Sequence, residues 1–184
     1  MPGSDDQQTP SVPPAFVRTR PPGDEHERDV CTRCGYVAYQ NPKVVAGSVA
    51  SSPDGLILLC RRAIEPAAGL WTLPAGYMEM GETVEEAARR EAREEAGAEL
   101  ELERVLAVYS VPHIGQVQVM FRARLSNPED IVPGPESLAL QLVKWEDVPW
   151  PELAFPSVVW ALRAWHEVRG RSDFAPFANP PEGL

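Results

Sequence analysis

With 184 residues, 43% of them apolar and 24% charged, the chain can bury a core and has the balance of an ordinary globular domain. A formal net charge of −10 excludes gripping a nucleic-acid backbone by charge alone, except where divalent cations mediate. Three cysteines, Cys31, Cys34 and Cys60, are too few and odd in number for a disulfide framework.

The start, "MPGSDDQQTPSVPP", has no basic residues followed by an apolar run, and no apolar stretch approaches membrane-spanning length. The expectation is a soluble, cytoplasmic protein with neither a membrane nor a nucleic acid as partner. Residues 1–15 are rich in Pro, Ser, Gln and Asp and are expected to form a disordered tail. Residues 16–43 form a segment of their own, in which "CTRCGYVAYQNPK" is compact and turn-like. Cys31-x-x-Cys34 followed by Gly35 looks like half a zinc ribbon. A structural zinc site needs four ligands, only His26 and Cys60 suggest themselves as others, and Cys60 falls inside a strand. The balance is against zinc.

From residue 44 to 170 the signals are those of a folded α/β domain. "VVAGSVA" (44–50) and "LILLCRR" (56–62) read as strands joined at Asp54-Gly55, a hairpin. "LWTLPAG" is a short apolar piece. A helix spans about Val84 to Ala96, opened by a Thr83–Glu86 capping box and closed by Gly97. Strands are expected at 104–111, 116–125 and 138–145, with a loop at "NPEDIVPGPES". "FPSVVWALRAWHEVRG" (155–170) is a closing amphipathic helix, and residues 171–184 form a Pro-rich tail. Several strands with two well-separated helices make an α/β sandwich on a mixed sheet.

The helix at 84–96 carries the chemistry. At about 100° per residue, Val84, Ala87 and Ala88 share a side with Glu91, Glu94 and Glu95. Glu85, Glu86, Arg89 and Arg93 lie opposite. Three glutamates that extend an apolar stripe repel one another and resist burial. A divalent cation resolves that cost, and hard oxygen ligands suit Mg²⁺ or Mn²⁺. A plain solvated Ala/Glu/Arg helix with local Arg90–Glu94 pairing is the alternative, and the side of the helix weighs against it.

The spacing Gly76, Glu82, Arg90, Glu91, Ala92, Glu94, Glu95, Gly97, Ala98 has the form G-x5-E-x7-R-E-U-x-E-E-x-G-U and resembles the Nudix box. Ala92 and Ala98 stand where larger aliphatics are usual. The resemblance implies a Nudix α/β/α sandwich with a mixed β-sheet. It also implies hydrolysis of a nucleoside diphosphate linked to another group. Glu91, Glu94 and Glu95 would hold Mg²⁺ or Mn²⁺, with Glu94 and Glu95 counted as catalytic. Arg90 would orient a glutamate, and Glu82 would support the loop or share in metal binding. Gly76 would let the backbone approach metal or phosphate. Arg61 and Arg62, at the end of a strand, could reach a phosphate or stand in solvent.

A narrower resemblance covers residues 22–165. "CTRCGYVAYQNPKVVAG", "GLWTLPAGYMEMGET" and "GPESL" look like the Nudix subgroup that includes the plant FAD pyrophosphatase, where a ribbon with two CxxC pairs precedes the domain. Here "FVRTR" stands in place of the first pair, so the ribbon is degenerate. Ala139 stands where the subgroup tends to carry a glutamate, which puts in doubt an acidic contribution from that loop. The implied reaction is FAD to FMN plus AMP, with ADP-ribose or NADH as alternative substrates and a homodimer as the expected assembly. A non-catalytic nucleotide sensor would have an eroded acidic box, whereas Glu82, Glu91, Glu94 and Glu95 all stand. Trp71 is read as core, and His113 as structural.

Overall fold

A computed structural model describes residues 15–181, in two compact units divided after Asn41. The expected tail at 1–15 lies almost entirely outside the described residues.

The first unit is a small antiparallel sheet of β1 (Phe16–Thr19), β2 (Arg28–Cys31) and β3 (Val37–Ala38), in the order β1-β2-β3. Phe16 pairs with Cys31, so the strand that lacks the first cysteine pair lies beside the one that ends in the second. Asp24 ties the β1–β2 connection by accepting from the His26 N–H at 2.9 Å and from Arg28 Nε at 2.9 Å. Beyond β2 the chain turns sharply. Gly35 N–H donates to the Cys31 carbonyl at 2.9 Å, with Gly35 at φ +72°, where glycine has no Cβ penalty.

The second unit holds seven strands: β4 (Lys43–Ser51), β5 (Ile57–Arg62), β6 (Trp71–Thr72), β7 (Ala75–Tyr77), β8 (Leu100–Val111), β9 (Gln116–Leu125) and β10 (Ser137–Val143). The spine runs β10-β5-β4-β9-β8, with β6 beside β5 and β7 beside β4. β4 and β9 are parallel and the other pairs antiparallel, so the sheet is mixed. Helix α1 (Val84–Ala96) packs Ala87 and Ala88 against Ala46 and Phe121 on one face. Helix α2 (Pro156–Glu167) packs Val158, Ala161, Leu162 and Trp165 against Val49, Leu59, Tyr109 and Met120 on the other. Strand alternation does the sorting, since Ala46 and Val49 on β4 point to opposite faces. No helix among the described residues is long and apolar enough to cross a membrane.

The expected hairpin of β4 and β5 needs correction. The two strands turn as expected but pair only at Ser51↔Ile57, and then diverge. β7 lines β4 and β6 lines β5, so the sheet opens between them. The close fit of β4 to β7 explains Gly47, where a Cβ would overlap the Ala75 Cβ. The chain linking β6 to β7 is fastened by Ser48 N–H donating to the Pro74 carbonyl at 3.1 Å. This opening is where the helix-borne carboxylates meet the opposite face of the sheet.

The loop at 131–136 caps α1. Val132 N–H donates to the Ala96 carbonyl and Gly134 N–H to the Glu95 carbonyl, each at 3.0 Å. A Cβ on Gly134 would land on the Glu94 carbonyl oxygen, so only glycine allows this approach. Gly134→Ala should therefore push the loop off the helix and lower unfolding stability by about 1–3 kcal/mol in chemical denaturation. An unchanged denaturation midpoint would mean that the loop shifts at no cost.

Candidate active site

Local sequence builds the acidic helix as expected. Thr83 Oγ1 accepts from the Glu86 N–H at 3.2 Å, and Glu86 Oε2 accepts from the Thr83 N–H at 2.7 Å. Gly97 ends the helix in the left-handed region at φ +59°. The buried stripe is Ala87, Ala88, Ala92, Glu95 and Ala96. Glu95 thus lies within the apolar face and Glu91 is half-buried at its edge. Glu94, expected on the same stripe, has a side chain 59% exposed.

Arg90 organises this end of the molecule. Its Nε and Nη2 donate to Glu82, at 3.1 and 2.8 Å. Nη1 donates to Glu91 at 2.7 Å and to Glu94 at 2.9 Å, and Nη2 reaches the Tyr77 carbonyl at 2.9 Å. All five guanidinium N–H groups are used, the fork geometry that lysine lacks. Glu82 also accepts from the Glu79 N–H at 2.5 Å, which fixes the loop ahead of α1. The Arg90 guanidinium, followed by that N–H, holds the Glu82 carboxyl below its ordinary range. Gly76 lies on β7 directly beneath Glu91, and a Cβ there would fall on the Glu91 carboxylate.

The electrostatics reverse deeper in. Burial pushes the Glu95 carboxyl up to about 8, helped by the Glu91 charge and opposed by the Ala75 N–H and by Arg62. Glu91 is also raised, first by burial, with Arg90 opposing and Glu94 and Glu136 adding to the rise. Ala75 N–H donates to Glu95 Oε2 at 3.3 Å, across the opening of the sheet. Protein cations do not fully neutralise this carboxylate group. As the side chains stand, no three His, Cys, Asp or Glu among the described residues converge on one point, because Arg90 takes the counter-ion role. The donor set nonetheless fits a hard divalent cation: carboxylate oxygens, one of them buried against its ionised form.

These groups line a cavity of about 1190 Å³. It takes in Arg62, Gly76, Arg90, Glu91, Glu94, Glu95 and Glu136, and extends past Met120 on the sheet to Phe155 and Trp160 on the α2 side. Arg62 lines it. Arg61 does not: its Nε donates to the Gly69 carbonyl at 2.8 Å and its guanidinium lies 6.0 Å from the Trp71 ring centre. The strand's alternation sends the two arginines to opposite sides. Trp71 packs against the core, and exposed His113 stands at the cavity rim.

Sequence reasoning missed Glu136. The substitution of Ala139 argued against an acidic residue from this loop, yet Glu136, three positions earlier, faces the same group. It lies near enough to raise both Glu91 and Glu95. The signal was "PGPES" itself, where Gly134 is the one residue that can touch the end of α1 and so brings its neighbours to the site.

In the first unit, the Arg33 and Cys34 N–H groups point at the Cys31 sulfur and hold its thiol below the ordinary value. Two thiols are present where a zinc ribbon needs four ligands, and no third ligand joins them among the described residues. The residues of this ribbon do not fit a structural zinc ion.

The second unit is an α/β/α sandwich with an acidic, helix-borne site at the opening of its sheet. A NUDIX domain model matches residues 41–163, and a Nudix N-terminal zinc-ribbon model matches residues 15–40. The chain belongs to the Nudix hydrolase family. A Nudix hydrolase from Nitrosomonas europaea has a crystal structure that superposes with a TM-score of 0.83 at 40% identity, covering 92% of this chain and 97% of that one. An ADP-ribose pyrophosphatase of Methanocaldococcus jannaschii is 42% identical over 77 residues, 42% of this chain and 45% of that protein. The NAD-capped RNA hydrolase NudC of Stutzerimonas stutzeri is 32% identical over 120 residues, 65% of this chain and 40% of that protein. The chain thus spans less than half the length of either of these two curated relatives.

The raised Glu95 has a measurable consequence. A folded-state value of about 8, against 4.5 for the free group, means that the fold favours the protonated form. That contribution to stability is complete below about pH 4.5 and is lost as pH rises through about 8. In EDTA, the wild-type protein should lose melting temperature relative to Glu95→Gln between about pH 5 and 8.5, and added Mg²⁺ should narrow the gap. Parallel melting curves for the two proteins would show that Glu95 ionises in the fold as it does in water.

Proposed function

We propose that this chain hydrolyses the diphosphate bond of a nucleoside diphosphate linked to another group, with Mg²⁺ or Mn²⁺ required. The observation that carries it is the pairing of buried Glu95 and half-buried Glu91 with Glu94 and Glu136 at one end of a large cavity. Glu91, Glu94 and Glu95 hold the cations, and Glu136 adds a fourth carboxylate. A bound divalent ion supplies charge neutralisation for the diphosphate and a lowered pKa for an attacking water.

The chain's own residues do the rest. Arg90 holds Glu91 and Glu94 near one another and ties them to the Glu82 loop, and a cation that draws the carboxylates together takes over part of its counter-ion role. Gly76 leaves room for the Glu91 carboxylate beside β7. Arg62, anchored by its Nε to the Pro66 carbonyl at 2.8 Å, offers its outer nitrogens to a phosphate oxygen. Glu136 stands on the loop side of the group, suited to taking a proton from water. Arg61 leaves the set of substrate contacts.

For the group beyond the diphosphate, the narrower resemblance over residues 22–165 favours FAD, cut to FMN and AMP. The names of the two relatives described above favour ADP-ribose or an NAD-like dinucleotide. The resemblance also carries a homodimer, which light scattering of the purified chain reads directly.

Chromatography of products from FAD, NADH and ADP-ribose, each with Mg²⁺, Mn²⁺ or EDTA, tests the reading. Metal-dependent release of AMP is expected from at least one. Glu94→Gln and Glu95→Gln should each lower turnover by about two orders of magnitude or more while remaining folded. Full turnover in either variant at saturating Mg²⁺ would remove that residue from the site. No turnover of any substrate would favour a nucleotide sensor.

A further inference from the structure

The first unit keeps one cysteine pair with both thiols free, and two thiols do not make a structural zinc site. The turn that carries them is closed without a metal. Cys31 N–H donates to the Tyr36 carbonyl at 2.8 Å, and Gly35 N–H donates to the Cys31 carbonyl at 2.9 Å. Thr32 N–H donates to the Ala15 carbonyl at 3.0 Å, which ties the turn to the start of β1. Arg28, bonded to Asp24 through Nε, also lies 5.3 Å from the Tyr39 ring centre and draws the ends of the small sheet together. Residues three apart across a tight turn have Cα atoms within about 7 Å, the limit of what a disulfide spans. Cys31 and Cys34 are such a pair, and the Cys34 thiol is hydrogen-bonded to the Cys31 sulfur.

The two sulfurs have different surroundings. Cys34 is exposed, whereas Cys31 is only 5% exposed. The Arg33 N–H and then the Cys34 N–H favour the Cys31 thiolate, joined by the Cys34 thiol and the Arg33 charge, and together they outweigh burial. Arg33 itself is exposed between the two cysteines and makes the approach to them electropositive. Reactive thiols need such surroundings, a stabilised thiolate and an open path. Here the path leads to Cys34 and the stabilised thiolate lies behind it, in contact.

We propose that Cys31 and Cys34 are a reversible dithiol–disulfide pair, oxidised by a low-molecular-weight disulfide such as oxidised glutathione. The exposed Cys34, as thiolate, attacks one sulfur of that disulfide, forms a mixed disulfide and releases one thiolate. Cys31 then attacks the Cys34 sulfur, forms the Cys31–Cys34 bond and releases the second thiolate. Two electrons pass to the oxidant, and the two protons lost by the cysteines end on the two released thiols. Excess reduced glutathione runs both exchanges backwards. Cys60, 1% exposed in the core of the second unit, takes no part.

The full chain is reduced, freed of reductant and equilibrated in glutathione buffers of graded ratio. It is then quenched in acid, unfolded, alkylated and weighed by mass spectrometry, with zinc measured on the same sample. Of the three cysteines, the parent should lose two alkylatable thiols in one step as oxidised glutathione rises, and regain them in reduced glutathione. Cys31→Ser should trap a glutathione on Cys34 about ten-fold or more faster than Cys34→Ser traps one on Cys31. If a serine variant fails to fold, peptide mapping of the parent early in oxidation takes its place and should show the mixed disulfide on Cys34 alone. The pair is overturned if the parent keeps three alkylatable thiols at every ratio, or if glutathione stays on Cys34 without transfer to Cys31. It is equally overturned if the first mixed disulfide forms on Cys31, or if the purified chain carries one zinc ion that Cys31→Ser removes. No arm reads hydrolysis, so these outcomes are independent of the hydrolase reading.

Discussion

Five hydrogen bonds from one guanidinium hold this site together. Arg90 connects the loop ahead of α1, through Glu82 and the Tyr77 carbonyl, to the helix itself, through Glu91 and Glu94. Without that cation, four groups rich in negative charge would crowd one end of the helix and repel one another. A lysine could offset the charge but could not reach three carboxylates and a carbonyl from fixed directions. The positions of the Glu82, Glu91 and Glu94 carboxylates follow from this fork. Arg90 does not reach Glu95, whose carboxyl stays raised by burial.

The opening of the sheet converts a helix face into a cleft. Had β4 and β5 paired along their length, α1 would lie over a closed sheet and its glutamates would face only the strands beneath. They separate after Ser51↔Ile57, and the short strands β6 and β7 line the gap. Glu95 meets the Ala75 N–H in that gap, and the cavity runs through to the α2 side. One fold feature thus joins an acidic end to an aromatic end.

Much of this was legible in the sequence, for local reasons. The capping box and Gly97 fix α1 within a residue, because caps act through nearest neighbours. The period of the strands and the amphipathic pattern of α2 likewise depend on short windows. The parts that escaped depend on contacts between distant segments. A turn signal at Asp54-Gly55 is the same whether two strands pair for six residues or for one. Glu136 reaches the site because Gly134 touches α1 some forty positions away, which spacing alone does not report. The wheel placed Glu94 on the buried stripe, whereas Ala92 and Ala96 complete that stripe and leave Glu94 turned outward.

The alanines in the box connect packing to chemistry. Ala92 and Ala98 stand where larger aliphatics are usual, and both are fully buried against Ala50, Leu58 and Cys60. Small side chains let the helix lie close to the sheet, and that closeness is what buries Glu95. The same closeness pushes the Cys60 thiol up, by burial first and by the Glu95 charge second, so this cysteine stays neutral and packs as an apolar side chain. A larger residue at position 92 would lift the helix, hydrate Glu95 and relieve its raised pKa. The raised Glu95 carboxyl is therefore a consequence of how closely α1 lies on the sheet, and the small side chains at 92 and 98 are part of that closeness.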